Sequence, residues 1–465
     1  MKFKSVEDVL KSIHDSNESI LDATSKFLEN INSKNTVLNA IVTSCEETEI
    51  QYCLDNFDKL RKTGQKLPPL AGLPIAIKDL QETKGILTTF GSKIFRKNIG
   101  RTDSPMVRNL KKAGCIVVGK TNVPEFGIGG QTFNSLFGAT LNPIDTKLTS
   151  GGSSGGAAAA VASGMLPFAD GSDMMGSIRT PSSFCSLYGF RPTPHLIPTP
   201  RNKENLPPLS SLGGLARSTK CLSFLLDAQV GNFNSFRAPN RLFSEIVNIP
   251  IRSEIRCAWL GSFNGNYTYE SGIDELCTSY LKTLDSPQIK IETVNPSFPA
   301  EQIWDSWTVL RCKTIQSELQ HHYLNLEEKK LLKPEILWEI EQGLKITKNS
   351  LETAIFLREK WIVFLKSLFK VYDFLLLPSA QVFPFSAKQR YPSAINGVKM
   401  DTYHRWMEVV IPASLAGLPT MSIPCGFDSR GLPVGIQLIG KFKSDAEVLR
   451  VSNWFERFRC CLTNQ

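Results

Sequence analysis

Several features are missing from this chain of 465 residues, and each absence narrows its function. No run of 18 apolar residues occurs, so no membrane span is expected. Residues Met1 to Asp8 hold no apolar core of a leader peptide, so a cytoplasmic location is expected. The eleven cysteines are odd in number and form no C-x-x-C pair, the only close pair being Cys460 and Cys461. That spacing suits neither a disulfide framework nor a zinc site, and it fits reduced core thiols. No block of five Lys or Arg appears, and the net charge of +9 is modest for the length. Direct nucleic-acid binding is therefore not expected. There is no Pro- or Ser-rich linker and no internal repeat.

What is present is ordinary globular composition, 42% hydrophobic and 21% charged, enough to bury a large core. The first sixty residues read as helices. Ser5 with Asp8 approximates a capping box, and Ile20, Phe27, Leu28 and Ile31 recur at helical spacing. Residues 38–42 read as a strand and 46–62 as a helix ended by Gly64. Short apolar runs then alternate with helices. Strands are expected at 74–77, 115–118, 256–260, 289–294, 374–377, 420–424 and 434–439. Helices are expected at 104–113, 155–163, 302–325 and 350–370, with a last one opening on a Ser444–Glu447 capping box and running to Phe458. This alternation predicts an α/β fold with a sheet covered on both faces.

Three patterns compete for the chemistry. Gly114 to Thr121 spells the phosphate-loop string G-x-x-x-x-G-K-[ST]. A phosphate cradle needs a loop between the glycines and a helix after Lys-Thr. Here the spacer is itself strand-like, and Pro124 and Gly127 oppose a long helix, so the match is one of letters. Gly152 to Gly156 satisfies G-x-S-x-G with Ser154 as its serine, but a nucleophile elbow needs a buried strand before it. Residues 142–149 are polar and interrupted by proline. The downstream histidines are His195, His321, His322 and His404; adjacent on one helix, His321 and His322 are expected to point in different directions.

The third pattern joins both glycine-serine segments. Gly151 to Gly156 leads into the 155–163 helix, whose amide end is electropositive. Twenty-four residues after Ser153 comes Ser177, beside Gly176, where successive N–H groups can converge as an oxyanion hole requires. Lys78 closes an apolar strand, where desolvation would keep its amine partly neutral.

With these residues on view, the sequence resembles the amidase signature family. The matching blocks are Gly72 to Asp79, Gly119 to Phe126, Gly151 to Gly156, Gly171 to Arg179, Ala416 to Pro419 and Gly431 to Gly440, in order along nearly the whole chain. The resemblance implies one domain, 1–465, with a large mixed twisted β-sheet flanked by helices on both faces. Within it lie an N-terminal helical segment at 1–65, the signature core at 66–225, a substrate-side region at 226–370 and the rest of the core at 371–465.

It further implies an amidase acting on a small-molecule amide with a Ser-Ser-Lys triad. Ser177 is the nucleophile; Ser153, after a cis peptide bond, bridges to Lys78, the general base. Backbone N–H groups of Met174, Met175, Gly176 and Ser177 form the oxyanion hole. Ser154, Asp173 and Arg179 are supporting, and no metal or organic cofactor is implied. One departure stands out: Asp173-Met174-Met175-Gly176-Ser177 replaces the family's usual Asp-Thr-Gly-Gly-Ser, a change also seen in a branch of bacterial amidases. The A subunit of an aminoacyl-tRNA amidotransferase, which has the same triad, is the alternative function. A silenced binding or assembly subunit is another. The pocket is expected to draw on 230–370, with Trp304, Trp307, Cys312 and Trp406 either at its rim or in the core. A homodimer is compatible with the sequence.

Overall fold

The computed structural model describes residues 6–15, 20–199, 206–231, 241–251 and 253–463, so the Ser5 half of the expected capping box falls outside them. The large mixed sheet has eight strands. Its spatial order is Ile289–Thr293, Ile255–Trp259, Phe374–Pro378, Pro433–Ile439, Thr420–Phe427, Tyr188–Arg191, Ser211–Ala216 and Phe168–Asp173. The first three are mutually parallel, and every later neighbour is antiparallel. Phe374–Pro378 and Pro433–Ile439 are buried at every residue, which is why they read as continuous apolar runs without alternation. Helices Arg179–Phe184, Thr219–Val230, Ile273–Leu284 and Asp445–Thr463 pack against this sheet.

A second sheet of three strands, Ile41–Ser44, Ile116–Thr121 and Pro74–Lys78, stands beside the edge strand Phe168–Asp173. The Lys78 N–H donates across the gap to Asp170 Oδ1 at 2.8 Å. A buried backbone donor beyond the ladder needs such a partner, and an aspartate side chain supplies it. The phosphate-loop string lies within the Ile116–Thr121 strand. Lys120 is fully buried there, its Nζ donating to Thr83 Oγ1 at 3.0 Å and to the Gln81 carbonyl, so it faces no phosphate cradle.

Some boundaries move. The expected strand at 38–42 begins only at Ile41, because helix Ile20–Leu38 runs on until Asn39 takes φ +50°. Asparagine tolerates this left-handed turn, and its Nδ2 donates to the Phe137 and Ala139 carbonyls. Ser444 donates its hydroxyl to the Lys441 carbonyl at 2.7 Å as the last helix begins. Three buried strands escaped the sequence pattern: Phe168–Asp173, Tyr188–Arg191 and Ser211–Ala216. Their glycines carry little β propensity but permit close approach; a Cβ on Gly213 would sit 2.1 Å from the Phe190 carbonyl oxygen. Among the described residues no helix is long and apolar enough to cross a membrane.

Candidate active site

Lys78 ends its strand fully buried, with its amine aimed at serines. Nζ lies 2.9 Å from Ser153 Oγ, 2.7 Å from Ser154 Oγ, 3.0 Å from Ser172 Oγ and 3.2 Å from the Ser172 carbonyl oxygen. Burial pushes its pKa down to about 7, against the opposing pull of Asp170 and Asp173. Near neutrality the amine is therefore partly uncharged and has a lone pair for a hydroxyl proton.

The serines arrive on two loops tied to each other. The Gly152–Ser153 peptide is cis. The Ser154 N–H donates to the Ser177 carbonyl at 3.1 Å, and the Gly155 N–H to Thr132 Oγ1 at 3.0 Å. These first amides of helix Gly155–Ala162 are thus satisfied within the protein. Ser177 follows the edge strand Phe168–Asp173 through a tight turn at Gly176, whose φ is +78°. A Cβ there would lie 2.8 Å from Thr180 Oγ1 and 3.0 Å from Val410. Glycine meets both demands.

The turn is clamped from beneath. Asp173 accepts from the Gly176 N–H at 2.8 Å, the Ile178 N–H at 3.1 Å and the Arg179 N–H at 3.3 Å. Arg179 grips the same carboxylate with Nε at 3.0 Å and Nη2 at 2.9 Å. Its other N–H groups reach the Val410 carbonyl, Gln437 Oε1 and Ser414 Oγ. Burial favours a neutral Asp173, but the charge and hydrogen bonds of Arg179, with Arg191 beside them, hold the carboxyl well below its usual range. The Gly176 amide is engaged by Asp173, which corrects the expected donor set: Met174, Met175 and Ser177 remain as candidates.

Ser153 and Ser177 open on a cavity of about 420 Å³. Leu80, Phe126, Met174, Met175, Ile315 and Leu319 supply apolar wall; Arg311, Glu318 and His195 are among its polar groups. Helix Ala300–Leu324, from the expected substrate-side region, provides Arg311, Ile315, Glu318 and Leu319.

The sequence profile of the family described as Amidase matches residues 22–449. The chain belongs to the amidase family. It is 30% identical to the A subunit of a glutamyl-tRNA(Gln) amidotransferase from Prochlorococcus marinus (strain MIT 9215), over 96% of each chain. It is 28% identical to an acylamidase of Rhodococcus erythropolis, over 98% of this chain and 95% of that one. In structure it is similar to a bacterial aryl acylamidase, with a TM-score of 0.90, 98% of this chain and 96% of that one covered, and 24% identity, a likeness of fold.

Within this amidase the sequence-expected residues Lys78, Ser153, Ser154, Asp173, Ser177 and Arg179 converge at the junction of the two sheets. Ser154, expected only to support the site, accepts directly from Lys78 Nζ. Two polar contributors went unnoticed, Ser172 and Asp170. They flank Gly171, the first residue of an expected block, and the missing signal was the strand itself, whose alternation aims them at Lys78. Trp304, Trp307, Cys312 and Trp406 resolve to the core; the cavity side of that helix is Arg311, beside Cys312.

The histidines take other places. His404 is buried with both ring nitrogens unpartnered, and burial drives its pKa down to about 3. His322 meets Glu328 at 2.7 Å. The His321 and His322 rings lie 3.9 Å apart, closer than their expected divergence. His195 reaches the cavity wall and pairs with Thr199. Among the described residues no group of three His, Cys, Asp or Glu side chains could hold a metal ion.

Proposed function

We propose that this amidase hydrolyses the C–N bond of a small-molecule carboxamide through an acyl-enzyme on Ser177. The carrying observation is the buried Lys78 amine, 2.9 Å from Ser153 Oγ and with a pKa lowered to about 7. Ser177 Oγ attacks the amide carbon while its proton passes to Ser153 Oγ, and the Ser153 proton passes to neutral Lys78. The Met174, Met175 and Ser177 amides receive the developing oxyanion. The C–N bond then breaks as protonated Lys78 returns a proton through Ser153 to the departing nitrogen. Water repeats the relay on the ester, releasing a carboxylic acid and free Ser177. Every proton moved belongs to these groups, the substrate or water, so no cofactor enters the steps. The reading places the enzyme in the cytoplasm, in keeping with nine free cysteines among the described residues.

The test is product release from a panel of aliphatic and aryl amides. One equivalent of carboxylic acid per equivalent of ammonia or amine supports the reading, with loss of both in Ser177→Ala. Amine release that persists in that variant contradicts it. A second reading, glutamine hydrolysis for a partner protein, is favoured by the likeness to the amidotransferase relative. Glutamine used in preference to every other amide would select it, and ligand binding without turnover would select a silent binding role.

A further inference from the structure

Helix Ala300–Leu324 sets Arg311, Ile315, Glu318 and Leu319 at positions i, i+4, i+7 and i+8, one face of the helix, along the cavity. Two of them are the apolar groups a pocket wall needs. Arg311 is not, yet it is only 5% exposed. Its Nε donates to Glu339 Oε1 at 2.7 Å and its Nη2 to the Tyr403 hydroxyl at 3.0 Å. Tyr403 donates in turn to Glu339 Oε1 at 2.5 Å, which fixes the plane of the guanidinium. The third corner differs. Among the described residues, Nη1 meets only Met174 Sδ, at 3.4 Å. A thioether is a weak acceptor, so a strong donor stands at the cavity wall without a strong partner. A buried ion pair is costly to assemble, and the hydrolytic relay uses neither member of this one.

We infer that Arg311 Nη1 is a specificity contact that donates to a second, neutral carbonyl oxygen of the substrate, away from the amide being cleaved. The inference rests on the amide-hydrolysis reading and names its substrate class: amides whose apolar chain carries a ketone, ester or second amide. Neutrality follows from the local charge. Glu339 already balances the guanidinium, so an added carboxylate would be buried without a counter-charge of its own. Glu318, on the same helix face and lining the same cavity, repels an anion when it is ionised, although burial raises its pKa. Met174 occupies the departure from the family's usual string, and its sulfur is the group a carbonyl oxygen would displace.

Three matched amides test this: pentanamide, 4-oxopentanamide and succinamate. Binding is read by calorimetry on Ser177→Ala, and kcat/KM on the active enzyme. The inference expects 4-oxopentanamide to bind about tenfold or more tighter than pentanamide, the range of a hydrogen bond to a charged donor, with succinamate no tighter than pentanamide. Adding Arg311→Lys keeps a cation beside Glu339 but loses the planar fork, and should cut that ratio to within about threefold. A purely structural role would weaken all three amides alike and leave the ratio unchanged. Equal binding of the first two, an undiminished ratio in Arg311→Lys, or tightest binding of succinamate would overturn the inference. Hydrolysis of the two neutral amides at equal kcat/KM would remove the specificity contact and spare the reaction. The expected binding ratio with no turnover of either would spare the contact and remove the reaction.

Discussion

The Lys78 backbone N–H donates to Asp170 Oδ1 at 2.8 Å, bridging the two sheets directly beneath the amine that Ser153 contacts. Asp170 is fully buried, its Oδ2 has no partner, and burial raises its carboxyl pKa to about 6. Lys120 and Lys78 are the charged groups that act on it, both favouring its ionised form. Ionised above that value, Asp170 favours the protonated form of Lys78. Removing its charge must therefore make Lys78 easier to deprotonate.

Hydrolysis by the wild type should rise with pH through about 7, the pKa of the lysine base. In Asp170→Asn the rising limb of kcat/KM should move to lower pH, since a lost negative charge lowers the lysine pKa. A pH–rate profile from 5 to 9 reads both. A limb that stays in place, or moves upward, would show that Asp170 does not set the base.

Ser154→Ala removes the acceptor 2.7 Å from Lys78 Nζ. The amine would then be less firmly aimed at Ser153. The expected result is a fall in kcat of about tenfold to a hundredfold with KM little changed, because aim matters most in the proton-transfer step. Steady-state kinetics on one good amide decide it, and a change confined to KM would argue against this aiming role.

Much of the site was legible because its residues lie in short contiguous blocks. Lys78 closes an apolar strand, and the Gly/Ser segments around Ser153 and Ser177 mark tight turns. Less visible was anything set by long-range packing. Ser172 and Asp170 reach Lys78 through the strand Phe168–Asp173, which glycine and serine disguise. Likewise the Gly176 amide could be counted as an oxyanion donor until the fold showed the Asp173 carboxylate beneath it. Arg311 lies 137 residues from Met174, and no local pattern foretells their contact. Among strands, those buried on both faces with large apolar residues were read within about three positions, while glycine-rich ones were missed.

Arg179→Met should be strongly destabilising. It takes the closest cation from the buried Asp173 carboxylate and a donor from Ser414, Gln437 and Val410. Breaking such a pair costs about 3–5 kcal/mol, which urea unfolding would register as a lower midpoint with little change in slope. A loss under about 1 kcal/mol would mean that the clamp contributes little to the fold.

Gly176→Ala places a methyl group against Thr180 and Val410 at a positive φ of +78°. The turn that presents Ser177 should shift, lowering acylation rates more than overall stability. Thermal unfolding beside single-turnover acylation separates the two effects. An unfolding midpoint that collapses with acylation preserved would contradict this assignment.

The central claim is that Lys78, through Ser153, activates Ser177. It is tested most directly by intact-mass measurement after exposure to a small fluorophosphonate, followed by peptide mapping. A single adduct on Ser177 is expected, absent in Ser177→Ala and formed far more slowly in Lys78→Ala. An adduct retained in Ser177→Ala, or formed equally fast without Lys78, would contradict it.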